Sequence, residues 1–234
     1  MMLVVVKKDK YALNDVKISR KILSYSGHES FTNPVQTASD ICISGLPNNY
    51  MAIYKNTTAN YLTDFSGKQL VHFYPQIVDA IRFINSCGIV HANIQPKNIE
   101  VHDGNTCLIT GFDHSLFISE FFQNLKYLPD NYLWPIEMHI ACYMSENGIE
   151  SLSEIQYDLI LENHVNSLKT VGIIPSPSER KYLKRAVVNQ TDAAILDVKE
   201  IDLYSLKVIY YILLKDEVDV KIREFLTAVR LGAF

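Results

Sequence analysis

The chain has 234 residues, 48% of them hydrophobic, with 22 basic and 26 acidic side chains and a formal charge of -4. That composition suits one or two packed globular domains and argues against a general nucleic-acid surface. Cys42, Cys87, Cys107 and Cys142 are widely spaced and form no ligand pair, which points to a reducing compartment.

The stretch Met1–Val6 is too short for a signal peptide, and Lys7 and Lys8 follow at once. No apolar run approaches the roughly 20 residues that span a bilayer. The expected location is cytoplasmic, with no membrane partner.

Leu3 to Val6 predicts a buried strand. Asn14 or Asp15 is placed to cap a helix through Ile18, Ile22 and Leu23. A polar loop broken by Gly27 and Pro34 follows. Ile41–Ile43 and Met51–Tyr54 are short strand candidates on either side of a turn at Pro47-Asn48-Asn49. Leu70, Phe73, Ile77, Ile81 and Ile84 share one helical face over 68–86, and Pro75 either starts the regular helix near Tyr74 or kinks it.

Gly88 terminates that helix. Two apolar stretches, Asn98–Val101 and Cys107–Ile109, flank Asp103-Gly104 and predict a hairpin. Residues 139–170 predict helix, with Ser151 and Glu154 as a capping box and Leu152, Ile155 and Leu159 on its apolar face. Pro175 and Pro177 mark a loop, and 179–196 is weakly helical. Leu203, Leu206, Ile209, Ile212 and Leu213 mark the most apolar helix, 201–214, and a last short helix reaches Leu231.

The densest pattern lies in 88–113. His91, Asn93, Pro96 and Asn98 precede the hairpin, and Gly111-Phe112-Asp113 follows it. Trp134-Pro135-Ile136-Glu137 and Asp202-Leu203-Tyr204-Ser205-Leu206 come later in the chain. In order and spacing these segments resemble the eukaryotic-type protein kinases over most of the chain. The family's catalytic loop reads His-Arg-Asp, then Pro and Asn, and its metal-binding Asp-Phe-Gly follows a short hairpin.

The resemblance implies an α+β, protein kinase-like fold with a truncated small lobe and a mainly helical large lobe. The reduced small lobe falls at 1–55. The large lobe falls at 56–234, with a helical insert at about 139–196. Val4–Lys7 is similar to the strand bearing the nucleotide-contacting lysine. Lys7 and Asn98 are the candidate cofactor-binding positions, and Asp202 would bond backbone near the catalytic loop.

The same alignment implies a degenerate centre. Asn93 occupies the position of the catalytic aspartate and Gly111 that of the metal-binding one. Phosphoryl transfer in this family needs both carboxylates. Asn93 is a poor proton acceptor, Gly111 has no ligand, and Asn98 alone holds magnesium weakly. The six residues before Lys7 leave no room for the glycine-rich loop that covers the phosphates.

No catalytic residue, metal or cofactor is therefore expected. His91, Phe112, Cys87 and Trp134 read as packing residues, with an interface anchor as the other role for Trp134. The insert resembles those of kinase-like proteins of large DNA viruses. The expected function is a pseudokinase that binds a protein partner or another copy of itself, such as a capsid or other virion component, in the host cytoplasm or virion. The alternatives are an atypical kinase using Asp113, Glu137 or Asp158, and a nucleotide-binding switch without catalysis. A basic cluster of Arg180, Lys181, Lys184 and Arg185 is too small to expect nucleic-acid binding.

Overall fold

The computed structural model describes residues 2–5, 39–42, 50–55, 60–125, 133–175 and 197–231, together with Asn14, Lys17, Ile18, Lys21, Ile22, Ser24, Leu128, Pro177 and Arg180. The architecture is mixed α+β: small antiparallel sheets come first and a mainly helical region follows. The chain forms two compact units, Met1–Glu120 and Phe121–Phe234.

In the first unit, β1 (Met2–Val5), β2 (Ser39–Cys42) and β3 (Tyr50–Lys55) form a sheet in the order β1-β3-β2. Val4 pairs with Ile53 and Cys42 with Tyr50. All three expected strands are present to within about two residues at their ends. Lys7 lies outside the described residues, as does the expected loop 26–40 except for Ser39 and Asp40, which open β2.

Helix α1 (Gly67–Ser86) starts well before Tyr74 and carries Pro75 inside it. Its start is fixed by Ser66, whose backbone N–H donates to Gln69 Oε1 at 3.1 Å. Leu70, Phe73, Ile77, Ile81 and Ile84 are all buried, as their spacing requires. The exposed Pro75 costs the helix one donor without interrupting it.

The apolar face of α1 packs across β7 (Thr106–Ile109) and β5 (Ile89–Val90). Strand β6 (Ile99–His102) pairs with β7 in the expected hairpin, Ile99 opposite Ile109 and His102 opposite Thr106. Asp103 and Gly104 both adopt positive φ at its turn. Strand β4 (Asn60–Tyr61) adds to the free edge of β6. Strand β8 (Leu116–Phe117) pairs with β5, so the segment after Phe112 is stitched to the segment before His91.

The second unit opens with the short α2 (Phe121–Asn124). Helices α3 (Ile136–Asn147) and α4 (Glu154–Thr170) pack through Ile136, Ile140 and Ile160. Helices α5 (Glu200–Leu214) and α6 (Val220–Leu231) pack on each other. Ser205, buried in α5, donates its hydroxyl to Leu133 O at 3.0 Å.

Four expectations are corrected here. The cap of α4 is Ser153 with Gln156, not Ser151 with Glu154: Ser153 N donates to Gln156 Oε1 at 2.8 Å, and Gln156 N to Ser153 Oγ at 3.4 Å. Two overlapping boxes exist in the sequence, and the chain uses the second. The buried face of α4 is Ile160, His164, Val165 and Leu168, whereas Ile155 is 83% and Leu159 53% exposed. Asn14, offered with Asp15 as a cap, is itself helical, and Asp15 lies outside the described residues. In α5 the buried set is Ile201, Asp202, Ser205, Leu206, Val208, Ile209, Tyr210 and Leu214, so Leu203, Ile212 and Leu213 flank the buried face. Residues 181–196 lie outside the described residues.

Among the described residues no helix is long and apolar enough to cross a membrane. Cys87, Cys107 and Cys142 are free thiols, and burial pushes Cys107 up to about 12.

Candidate functional site

The loop 91–98 and the segment 110–115 meet within the first unit, and backbone groups make most of the contact. His91 is completely buried. Its Nε2 lies 2.9 Å from Thr110 O, which can only accept, so Nε2 carries the proton. Its Nδ1 accepts from Asn93 N at 3.3 Å. Burial lowers its pKa to about 4, against the opposing pull of the Thr110 carbonyl. The ring packs edge-on to Phe112, centroids 4.9 Å apart. His91 is thus a neutral tether between the two segments, with both nitrogens engaged.

Ala92 follows in the left-handed region at φ 59, an uncommon conformation for a residue with a Cβ. This local strain sits directly before Asn93, and such outliers gather at functional sites. Asn93 Oδ1 accepts from Gln95 Nε2 at 2.7 Å, and Asn93 O accepts from Asn98 Nδ2 at 2.8 Å. The amide that stands at the centre of the loop is therefore held by its own neighbours.

Asn98 closes the loop at its far end. Its backbone N–H donates to Gln95 O and its carbonyl accepts from Thr110 N, both at 2.9 Å. Its side chain reaches the next segment at Gly111, which has φ +79. A Cβ built there would stand 2.7 Å from Asn98 Oδ1, 2.9 Å from Cγ and 3.2 Å from Nδ2. The glycine answers two requirements: a left-handed backbone and close approach of an amide.

Beyond Gly111, Asn14 Nδ2 faces the carbonyls of Phe112, Asp113 and Ser115 at 3.2, 3.1 and 2.8 Å. Ser115, fully buried, returns its hydroxyl to His91 O at 3.1 Å. Lys17 lies 3.8 Å from Glu120 and over the Phe117 ring at 4.6 Å. Asn14 and Lys17 are so tied to the 112–120 stretch. Asp113 points its carboxylate toward His114 Nε2 at 3.8 Å.

Of the positions singled out by sequence, Asn93, Asn98 and Gly111 come together, and Lys7 lies outside the described residues. His91, Phe112, Cys87 and Trp134 are all buried to within 1% exposure, as packing residues are. Local pattern did not reveal the role of Asn14, whose acceptors lie 98 to 101 residues away. Nor did it single out Gln95 and Ser115, polar residues with no distinguishing spacing.

Chemically, the loop offers amides, an engaged neutral imidazole and backbone carbonyls. Neither asparagine accepts a proton near neutrality. Asn98 Oδ1 is the atom nearest to where a Gly111 Cβ would stand. Among the described residues no three His, Cys, Asp or Glu side chains gather in a metal-binding arrangement. No family model matches the chain, and no curated protein matches it significantly.

Proposed function

We propose that this chain is a kinase-like protein that has exchanged phosphoryl transfer for binding another protein. The observation that carries the reading is the packing of Asn98 on Gly111. In the kinase alignment these are the two metal-holding positions. Here an amide occupies the space that the second ligand's side chain would need, on a backbone that disfavours one.

The opposite side of the loop supports the same reading. Asn93 stands where the family keeps its proton acceptor, and its amide oxygen is taken by Gln95. What the segment retains is scaffold: buried His91, buried Phe112 and the backbone bonds between 91–98 and 110–115. A scaffold kept without its ligands suits a protein that presents a surface. The partner class we propose is another protein of the same particle or cell, a virion component in the case of a large DNA virus. The helical stretch from 139 onward is what suggests that setting.

The test is a thermal shift with millimolar ATP and magnesium beside a phosphotransfer assay on mixed protein substrates. Ligand that binds the native state must raise its stability. The expected result is no shift and no transfer. A magnesium-dependent shift with transfer would overturn the reading in favour of an atypical kinase, and a shift without transfer in favour of a nucleotide-binding switch.

A further inference from the structure

We propose that the Asp103-Gly104 turn is a site of spontaneous backbone modification, at which the folded chain converts aspartate to isoaspartate. That reaction asks three things of its surroundings. The aspartate carboxyl is free, the backbone nitrogen of the next residue is free to attack it, and the α-carbon beyond is uncrowded. Glycine meets the last condition best, because it carries no Cβ. The chain has one Asp-Gly pair and one Asn-Gly pair, Asp103-Gly104 and Asn147-Gly148.

Asp103 and Gly104 meet all three conditions. Both are exposed at the tip of the β6–β7 hairpin. The turn's hydrogen bond runs from Asn105 N to His102 O at 3.1 Å and bypasses them. Among the described residues Asp103 makes no hydrogen bond or ion pair, and the Gly104 N–H donates to nothing. A Cβ built on Gly104 would meet nothing within 4 Å, so the space around it is open. Asp103 also stands at φ 52, a left-handed conformation disfavoured for a residue with a Cβ, so leaving the native turn costs it less.

Asn147-Gly148 is the opposite case, although asparagine is the more reactive residue in an open chain. At the end of α3 the Gly148 N–H donates to Met144 O, and Asn147 Nδ2 donates to Tyr143 O at 2.8 Å. The attacking nitrogen and the amide it would attack are both engaged.

The steps balance without any further reagent than water. Gly104 N attacks Asp103 Cγ and a C–N bond closes a succinimide ring. The Cγ–OH bond breaks, and that hydroxyl leaves as water with the amide proton. A second water then adds at the main-chain carbonyl carbon of Asp103 and breaks its bond to Gly104 N. The chain now runs through Cβ and Cγ and is longer by one methylene. One water has left, one has entered, and nothing is oxidised or reduced. The longer turn unseats Asn105, whose Oδ1 lies 3.1 Å from His72 Nε2 and whose carbonyl accepts from Gln76 Nε2 at 3.1 Å. The modification therefore loosens the hairpin tip from α1. It goes beyond the pseudokinase reading and does not depend on it, so either can fail alone.

The experiment ages the full chain in heavy-oxygen water at mildly acid pH, folded in one sample and unfolded by urea in another. Peptide mass spectrometry reads the incorporated heavy oxygen, and fragmentation separates isoaspartate from aspartate. Isoaspartate carrying one heavy oxygen is expected at 103 in the folded chain. Folding should slow deamidation at Asn147 by about tenfold or more, since its helix end must first open, and should slow the reaction at Asp103 much less. Gly104→Ala, whose added Cβ meets open space, should slow the reaction at Asp103 severalfold, with circular dichroism as the check on its fold. Absence of isoaspartate at 103 in the folded chain, or protection of Asp103 as strong as that of Asn147, would overturn the proposal. A rate unchanged in folded Gly104→Ala would overturn attack by the Gly104 nitrogen.

Discussion

The carboxamide of Asn98 lies against the α-carbon of Gly111, so that a Cβ added to the glycine would meet Asn98 Oδ1 at 2.7 Å. These residues belong to different segments, yet a side chain at 111 must displace the one at 98. Gly111→Ala is expected to cost about 2–4 kcal/mol, part from φ +79 and part from the amide. Asn98→Gly in the same chain should return the steric part and leave the backbone part. A double-mutant cycle by urea denaturation measures the coupling. Additive losses would mean that the two residues do not constrain each other.

Asn14 makes a second long-range tie, and its chemistry is directional. Its side-chain amine faces carbonyl oxygens of Phe112, Asp113 and Ser115, all acceptors. Asn14→Ala should cost about 1–3 kcal/mol and speed amide exchange in 112–118. Asn14→Asp should be worse near neutral pH, because a carboxylate would face only acceptors. Lowering the pH should narrow the difference between the two variants as the carboxyl gains a proton. An aspartate variant as stable as wild type would show that the tie is not a donor–acceptor contact.

Two buried histidines predict acid sensitivity, with different remedies. Burial holds His91 down to about 4, and burial with nearby His139 holds His164 down to about 3. Below the ordinary histidine value near 6.5 the unfolded chain takes up protons that the folded chain refuses. Stability is therefore full above about pH 6.5 and falls as pH drops toward about 4, by about 1.4 kcal/mol per pH unit for each histidine. Neither ring nitrogen of His164 meets a hydrogen-bond partner, so His164→Leu should stabilise the second unit and flatten its acid limb. His91→Leu should destabilise the first unit, since both its nitrogens are engaged. Trp134, the chain's one tryptophan, reports on the second unit by fluorescence, and amide exchange reports on the first. A steeper acid limb in His164→Leu would contradict the argument.

How much of this was legible in the sequence follows from the range of the interactions. Helix α1 and the β6–β7 hairpin were readable because periodicity and turn chemistry act over a few residues: Phe73, Ile77 and Ile81 on one face, Asp103-Gly104 between two apolar runs. The pairing of Asn98 with Gly111 was readable only as two positions of one motif, and their contact was not. Asn14 was read, with Asp15 as the alternative, as a cap because that is its commonest local use, whereas its partners lie 98 to 101 residues away. On α4 the period was right and the face wrong. Periodicity places Ile155 with Leu159, but it cannot say which side of the helix meets a neighbour. The cap was read at Ser151 with Glu154, and the chain uses the overlapping signal two residues on, Ser153 with Gln156.

The last prediction concerns rebuilding the two carboxylates that the proposed kinase ancestry would require. Asn93→Asp keeps an acceptor for Gln95 Nε2, so that bond survives, but it buries a charge at a position only 7% exposed. A modest loss of stability follows, and the new carboxyl is raised by burial. Its oxygen is also held by Gln95. Gly111→Asp must do more: it needs a left-handed backbone and a Cβ where the Asn98 amide already lies. Either Asn98 moves, and the loop loses its bond to Asn93 O, or the segment after Thr110 moves. Both displace the groups that a metal would need to share. Placement errors of about 1 Å cost phosphoryl transfer roughly a hundredfold. The double variant is expected to fold less stably than either single one and to transfer no phosphate. A phosphotransfer assay beside circular dichroism decides it. Robust magnesium-dependent turnover in a folded double variant would mean that Asn98 yields readily, and that the centre lost its carboxylates without losing the geometry around them.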